Sequence, residues 1–520
     1  MSSLLRSTGT VGALTLVSRV LGFVRDMVIA RLFGASAGAD AFFVAFKIPN
    51  FMRRLFAEGA FAQAFVPVVA EYRELRPTAV PRLTGDVAGT LGLILAGICV
   101  IGVLAAPVLV AVFAPGFIGE PDKFQLATDM LRLTFPYVLL IALAALAGAV
   151  LNTYGYFAVA AFTPVLLNIV LIASAWWLAP LLDVPVMALA WGVFVAGLLQ
   201  ALYPLYHVRR LGLLARPRWA WRETGVMRVV QLMTPALFGS SVAQVNLLLD
   251  TLIASFLAAG SVSWLYYADR LVEFPLGVFG VAIGTVILPS LSAQHATESR
   301  DGMSATLDWA LRLMLLVTVP ATVALFLLAG PILATLFQYG EFTAQDTRMA
   351  MLALMAYSLG LGGFVMVKIL APGFFARQDT RTPVRIGIVA VGINIVLSAV
   401  LVVPLYWNQV PGTHAALALA TSVAAFANGG LLLQRLRRDG VYRPVPGWWR
   451  FAGHVVIASM AMALVLWQGA GSLQTWLDAG GWVRAGRLLM VSVMGAAVYF
   501  ATLWLLGLRS AQWRALLQHR

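Results

Sequence analysis

The stretch VAGTLGLILAGICVIGVLAAPVLVAVF, Val87–Phe113, contains no charged residue. A helix needs about 20 predominantly apolar residues to cross the hydrocarbon core of a bilayer, so this run is long enough. Comparable blocks follow at Phe135–Leu151 and Leu307–Leu328. None alternates apolar and polar positions as the strands of a membrane barrel do. Helices remain, because a helix satisfies its own backbone groups in lipid. The whole chain agrees: 520 residues, 61% hydrophobic, only 11% charged, mean hydropathy +0.88. A soluble domain carries roughly 25% charged residues, and this chain has too few to cover a water-facing surface.

The net charge of +14 does not indicate nucleic acid. Lysine occurs only at 47, 123 and 368, and the arginines gather in short connections, without the interleaved aromatic and basic residues of a strand binder. The lone Cys99 offers neither a disulfide nor a Cys-based metal site. Arg6 precedes an apolar stretch as in a signal peptide, but Arg19, Arg25 and Asp26 interrupt it, so it reads as an uncleaved first membrane helix.

Apolar segments predict an all-α polytopic membrane protein with about fourteen spans, near 9–31, 40–66, 86–112, 130–151, 159–180, 186–207, 230–257, 262–290, 307–329, 349–371, 384–404, 415–436, 449–468 and 486–507. Connections after even-numbered spans carry Arg73, Arg76, Arg82, then Arg209, Arg210, Arg216, Arg218, Arg222, and later Arg377, Arg381, Arg385, Arg435, Arg437, Arg438 and Arg443. Odd-numbered connections are poor in basic residues, which places both termini in the cytoplasm. Asp26 in DMVIA recurs as Asp250 in DTLIA; Pro67 recurs as Pro289, Thr163-Pro164 as Thr382-Pro383, and Arg209-Arg210 as Arg437-Arg438. These matches imply a six-helix unit present twice. With an even number of spans the copies are parallel, related by an axis along the membrane normal. The expected organisation is an N-terminal lobe over 1–218, a second lobe over 219–443, and two additional helices with a tail over 444–520. The matched prolines suggest shared bending positions, and Gly34-x-x-x-Gly38 suggests close helix packing.

Nucleotide-binding, metalloprotease and serine-hydrolase motifs are absent, so no catalytic residue and no cofactor is expected. The informative residues are charges inside spans: Arg19, Arg25, Asp26, Asp40, Lys47, Arg53, Arg54, Glu58, Asp250, Asp269, Arg270, Glu273 and Lys368. A charge at the bilayer centre costs about 2.5–3.5 kcal/mol even on the lenient insertion scale, so each must face protein or water. Arg19 and Asp26 share a helix face, as do Asp40, Lys47 and Arg54; Asp269 and Glu273 are neighbours, with Arg270 turned away. Three readings stand side by side. The charges are ion pairs between helices, with Arg25–Asp26 and Asp269–Arg270 foremost; or Arg53 and Arg54 simply sit at a helix end; or the charges line a hydrated anion-binding cavity in which arginine forks grip phosphate.

The runs SRVLGFVRD (18–26), ADAFFVAFKIPNFMRRLFAEGAFAQAFVPVVAEY (39–72), SWLYYADRLVEFPLGVFGVAIGTVILPSLS (263–292) and LAPGFFARQDTRTPVR (370–385) closely resemble the MurJ (MviN) family of lipid II flippases, within the MOP exporter superfamily. The resemblance spans essentially the whole chain. It implies a non-enzymatic role in peptidoglycan biosynthesis, cell-wall biogenesis and cell shape. Undecaprenyl-diphosphate-linked disaccharide-peptide would pass from the cytoplasmic to the periplasmic leaflet of the bacterial inner membrane by alternating access. It maps substrate binding onto Arg19, Arg25, Asp40, Arg53, Glu58 and Arg270; the remaining embedded charges, Asp26, Lys47, Arg54, Asp269, Glu273 and Lys368, are read from their positions as cavity or gating charges. The last two helices would hold the isoprenoid tail. Sodium, as in some members, would use Asp250 and Asn394, though Ser398 stands where a carboxylate is expected; the membrane potential is the other implied drive. Membrane lipids and the cell-wall synthesis machinery are the implied partners. The alternative is another exporter of the superfamily, for a lipid-linked oligosaccharide or a cation-coupled drug.

The arginine bias generates a topology test. In a Cys99→Ala background, single cysteines at Ala344 and Asp183 should label from outside the cell, and those at Arg76 and Arg438 should not. External labelling at Arg438 would overturn both the orientation and the parallel repeat.

Overall fold

The computed structural model describes residues 2–53, 61–297 and 299–507. No strand occurs among the described residues. The chain forms two compact units, Met1–Ser263 and Trp264–Arg520. The first holds α1 (Ser2–Phe33), α2 (Ala37–Arg53), α3 (Phe61–Leu75), α4 (Val80–Leu104), α5 (Ala106–Phe113), α6 (Pro121–Thr134), α7 (Tyr137–Thr153), α8 (Phe157–Ala173), α9 (Met187–Arg210) and α10 (Thr224–Ala254). Helix α11 (Ser261–Ala296) starts at its edge. The second unit continues with α12 (Arg300–Leu327), α13 (Ala329–Leu336), α14 (Ala344–Leu359), α15 (Leu361–Phe375), α16 (Arg381–Trp407), α17 (His414–Arg438), α18 (Trp448–Ala470), α19 (Leu473–Leu477) and α20 (Gly481–Leu505).

Ten helical stretches among the described residues are long and apolar enough to cross a membrane. They coincide with expected spans three to six and nine to fourteen. The remaining four expected spans fall on α1, on α2 with α3, on α10 and on α11. Those helices carry most of the embedded charges.

The duplication is visible in how helices pack. In the first unit α9 receives α6, α7 and α8, and α4 lies on α6 and α7. In the second, α17 receives α14, α15 and α16, and α12 lies on α14 and α15. Breaks recur as well. The third span of each repeat is interrupted at Ala105 and Leu328, and the fourth at Phe135-Pro136 and Gly360. Helix α10 opens the second repeat in sequence, yet it packs along α3 and so belongs to the first compact unit.

Two local expectations are refined. Pro164 lies inside α8, whereas Pro383 sits in the first turn of α16. There its missing N–H has no helical acceptor anyway, so Pro164 and Pro383 do not share a bend, whereas Pro67 and Pro289 both lie inside helices, α3 and α11. Gly34, offered by its spacing as a packing position, also ends α1: with φ of 61° it takes the left-handed conformation, its N–H on Ala30 O at 2.8 Å.

The C-terminal helices seal onto α12. Leu316, Phe451, Val455, Met462, Leu466, Val491 and Leu503 form one buried cluster, and the Tyr499 hydroxyl donates to Leu316 O at 2.7 Å. Outward faces stay apolar, with Val396 and Val400 on α16 and Val493 and Phe500 on α20 exposed as lipid-facing residues require.

Close approach of α15 to α17 depends on Gly363, where a Cβ would stand 2.7 Å from Phe426 N and 2.8 Å from the Ala425 carbonyl carbon. Backbone cannot yield as a flexible side chain can. Gly363→Leu should therefore destabilise the protein by about 1–3 kcal/mol, lowering its melting temperature in detergent. Gly392→Leu, where nothing lies within 4 Å, should leave it unchanged.

Candidate functional site

The embedded charges of the first unit begin on α1. Arg25 and Asp26 are buried, 5% and 0% exposed. The Arg25 guanidinium donates to Asp26 Oδ1 through Nη2 at 2.7 Å and Nε at 3.0 Å, and its Nη1 donates to Asn168 Oδ1 at 3.0 Å. Asn168 on α8 turns its amide back to Ser18 O at 2.9 Å. One hydrogen-bonded set thus fastens α1 to α8, neutralising the two charges where each alone would be costly. Arg19 shares the face of Asp26 but not its burial. It is exposed, and with Val11, Thr15 and Ser18 it lines a cleft of about 460 Å³ closed on the other side by Asn152, Phe157 and Pro164.

Asp40 on α2 is 1% exposed. Its carboxylate accepts from Lys123 Nζ at 3.3 Å, Gly260 N–H at 2.7 Å, Ser263 N–H at 2.9 Å and the Ser263 hydroxyl at 2.6 Å. The side chain therefore caps the start of α11, where free N–H groups and the helix dipole favour an anion. Lys123 on α6 is the buried partner, its ammonium 4.3 Å from the Phe117 ring centroid. Lys47 donates to the Thr251 hydroxyl. Arg53 donates through Nε to Asn50 Oδ1 at 2.9 Å and is half-buried. Asp250 on α10 is buried. Arg54 and Glu58 lie outside the described residues.

In the second unit Arg270 pairs with Glu273, Nη1 to Oε2 at 2.6 Å, and donates to the Tyr266 hydroxyl at 3.2 Å. Residues three apart are neighbours on a helix, and the long arginine stem swings across the angle that separates it from the Asp269–Glu273 stripe. The Arg270 side chain remains one third exposed. Asp269 is half-buried and Lys368 exposed. On α16 the buried Asn394 accepts from the Thr421 hydroxyl at 3.4 Å, and Ser398 is wholly buried.

Sequence reasoning missed Lys123 and Asn168. Asn168 carried a signal, being an amide inside an otherwise apolar run. Lys123 carried less, because its partner lies 83 residues away.

Membrane-length helices with apolar outer faces, and charged groups sequestered on a few helices, define a multi-pass helical membrane protein. The family model described as lipid II flippase MurJ matches residues 29–480, and the chain belongs to that family. It is 48% identical over 515 residues to the probable lipid II flippase MurJ of Vibrio cholerae serotype O1, covering 97% of each chain. It is 44% identical over 520 residues to the lipid II flippase MurJ of Burkholderia cenocepacia, covering 98% of this chain and 99% of that protein. Its fold matches a solved lipid II flippase MurJ in an inward closed conformation with a TM-score of 0.80 at 25% identity, over 98% of this chain and 99% of the other. An inward-facing multidrug resistance MATE family transporter of the MOP superfamily shares the fold at a TM-score of 0.64 and 13% identity, over 82% of this chain and 95% of that one.

Breaking one partner of a buried pair typically costs about 3–5 kcal/mol. Asp40→Ala should therefore reduce membrane abundance sharply, by stranding Lys123 and two backbone donors. Asp40→Asn with Lys123→Met, which keeps an acceptor and removes the stranded cation, should recover most of it. Normal abundance of Asp40→Ala would remove this capping role.

Proposed function

We infer that the chain translocates lipid II, the undecaprenyl-diphosphate-linked disaccharide-peptide, from the cytoplasmic to the periplasmic leaflet of the bacterial inner membrane. Membership of the flippase family over nearly the full length, at up to 48% identity to the relatives above, is the observation that carries this reading. The chemistry is compatible. The polyprenyl tail can remain in lipid, so only the head group needs a polar path. Arg19, Arg53 and Arg270 keep part of their guanidinium surface accessible, and such forks bind diphosphate through paired charge-assisted hydrogen bonds. Arg25, engaged with Asp26 and Asn168, holds α1, which presents Arg19, against α8.

No bond of the substrate is made or broken in this reading, so the protein acts as a carrier and not as an enzyme. Arginine-rich connections place both termini in the cytoplasm. The head group then leaves an inside-negative compartment, and the membrane potential favours its export by about 2.3 kcal/mol per charge per 100 mV. Sodium fits less well. Of the implied ligands only Asp250 carries a charge; Asn394 is neutral and Ser398 stands where a further carboxylate is expected, which leaves a cation less well balanced in a low-dielectric interior. We therefore assign the drive to the potential. Since the product is consumed by glycan polymerisation outside, the cell-wall synthesis machinery is the partner class implied.

Depletion of the protein should cause lipid II to accumulate in the inner leaflet and cells to lyse. In depleted cells, Arg19→Lys and Arg270→Lys should support tenfold less transport at normal abundance, because an ammonium keeps the charge but loses the fork. Arg25→Ala should instead lower abundance, with Arg25→Ala/Asp26→Ala restoring it in part. Full growth with Arg270→Lys would remove bidentate recognition at that site.

A further inference from the structure

Away from the charged helices, α4 and α12 each carry a buried aspartate, Asp86 and Asp308, both 4% exposed. They stand 222 positions apart, as do Pro67 and Pro289. Each receives the linker that leaves the last helix of its own repeat.

In the first unit the linker from α9 to α10 runs along α4. Ala215 N–H donates to Pro81 O at 3.1 Å, Arg218 N–H to Gly85 O at 3.4 Å, and Ala220 N–H to the Thr90 hydroxyl at 3.0 Å. The Arg218 guanidinium holds Asp86 Oδ1 at 3.0 and 3.2 Å, while Arg82 lies 3.7 Å from Asp86 and 3.1 Å from Glu223. Gly85 makes room for this track, since a Cβ there would stand 2.9 Å from Arg216 O.

In the second unit the linker from α17 to α18 lies on α12 at the same positions. The Ser304 hydroxyl accepts from Arg443 N–H at 2.9 Å and donates to Arg443 O at 3.0 Å. Asp308 Oδ1 accepts from the Tyr442 hydroxyl at 3.0 Å, Val445 N–H at 3.1 Å and Trp448 Nε1–H at 2.6 Å. Arg312 pairs with Asp308 Oδ2 at 2.8 Å and donates to Val445 O and Pro446 O, both at 3.2 Å. Burial and the adjacent Asp308 carboxylate push the Tyr442 phenol above its ordinary range, keeping it a donor.

Residues 82, 86 and 90 thus correspond to 304, 308 and 312, one face of the third span in each repeat. The chemistry differs between copies: the arginine hydrogen-bonded to the aspartate comes from the linker in one, with Arg82 of α4 farther off at 3.7 Å, and from the helix in the other. The seat survives that difference. A surface connection has no need of a buried carboxylate, which is tolerated only when fully paired.

We propose that Asp86 and Asp308 are positioning residues for transport, each clamping its linker to the third span so that α10 moves with α4, and α18 with α12, throughout the cycle. The proposal rests on the flippase reading. It is tested in vesicles with fluorescent lipid II, using Cys99→Ala protein as parent. Pairs Thr90→Cys/Ala220→Cys and Ser304→Cys/Arg443→Cys join positions already in hydrogen-bond contact. Disulfide formation at either pair should leave the flipping rate within twofold of the reduced form; a block relieved by reductant would show that the linker must leave its seat, overturning the clamp. Asp86→Ala and Asp308→Ala should flip at least tenfold more slowly while binding lipid II within twofold of the parent, and the matching disulfide should restore most of the rate. Unchanged flipping in either aspartate variant overturns the proposal for that seat. Should the aspartate variants fail to accumulate, the disulfide pairs, which keep both aspartates, still decide. A parent that moves no lipid II would overturn the functional reading and the clamp together, whereas a working parent with insensitive aspartates overturns the clamp alone.

Discussion

A charge or backbone dipole in hydrocarbon must find its partner within the protein, because no water is there to supply one. The described charges that are buried obey this. Asp40 collects an ammonium, two backbone N–H groups and a hydroxyl; Arg25 collects Asp26 and Asn168. Arg484, 6% exposed on α20, donates to Ala334 O and Leu477 O, both at 2.7 Å, and to Gln338 O at 3.3 Å. Those carbonyls lie at the ends of α13 and α19, where a cation also meets the negative pole of the helix dipole. Each group acts as a fastener because leaving it unpaired would cost more than ordering it.

The same constraint shapes the backbone. Spans that break, as at Phe135-Pro136 and Gly360, do so against protein neighbours and not against lipid. Gly102 faces the Phe135 ring, and Gly360 faces Ser422, whose hydroxyl donates to Ala356 O at 2.8 Å in the turn before the break. That both repeats break their third and fourth spans at corresponding places indicates a packing arrangement inherited whole. The individual hydrogen bonds were free to change, as the different arginines around Asp86 and Asp308 demonstrate.

For a carrier of an anionic head group, this leaves a division of labour among arginines of one type. Those with their forks occupied, Arg25 and Arg484, hold helices together. Arg19 and Arg270 keep their guanidinium groups partly accessible, as the proposed phosphate contacts require. Arg270 illustrates the difference: its ion pair with Glu273 is one third exposed, so water screens it and its rupture costs little, whereas the Arg25–Asp26 pair is dry.

Much was legible in the chain alone. The long apolar runs, the arginine-rich connections, the duplication and the motifs that mark the family are all local patterns, and local patterns survive without knowledge of neighbours. Charges on α1, α2 and α11 could be flagged as needing partners. Which partners they take was not legible. Lys123 lies 83 residues from Asp40, and Arg218 lies 132 residues from Asp86, so only the packing of helices brings them together. The same holds for Pro383, which matches Pro164 in sequence but falls where no hydrogen bond is lost. Hydrophobic length is a property of a segment and can be read from it. The pairing of a buried charge is a property of two segments, and it exists only once tertiary structure has placed one against the other.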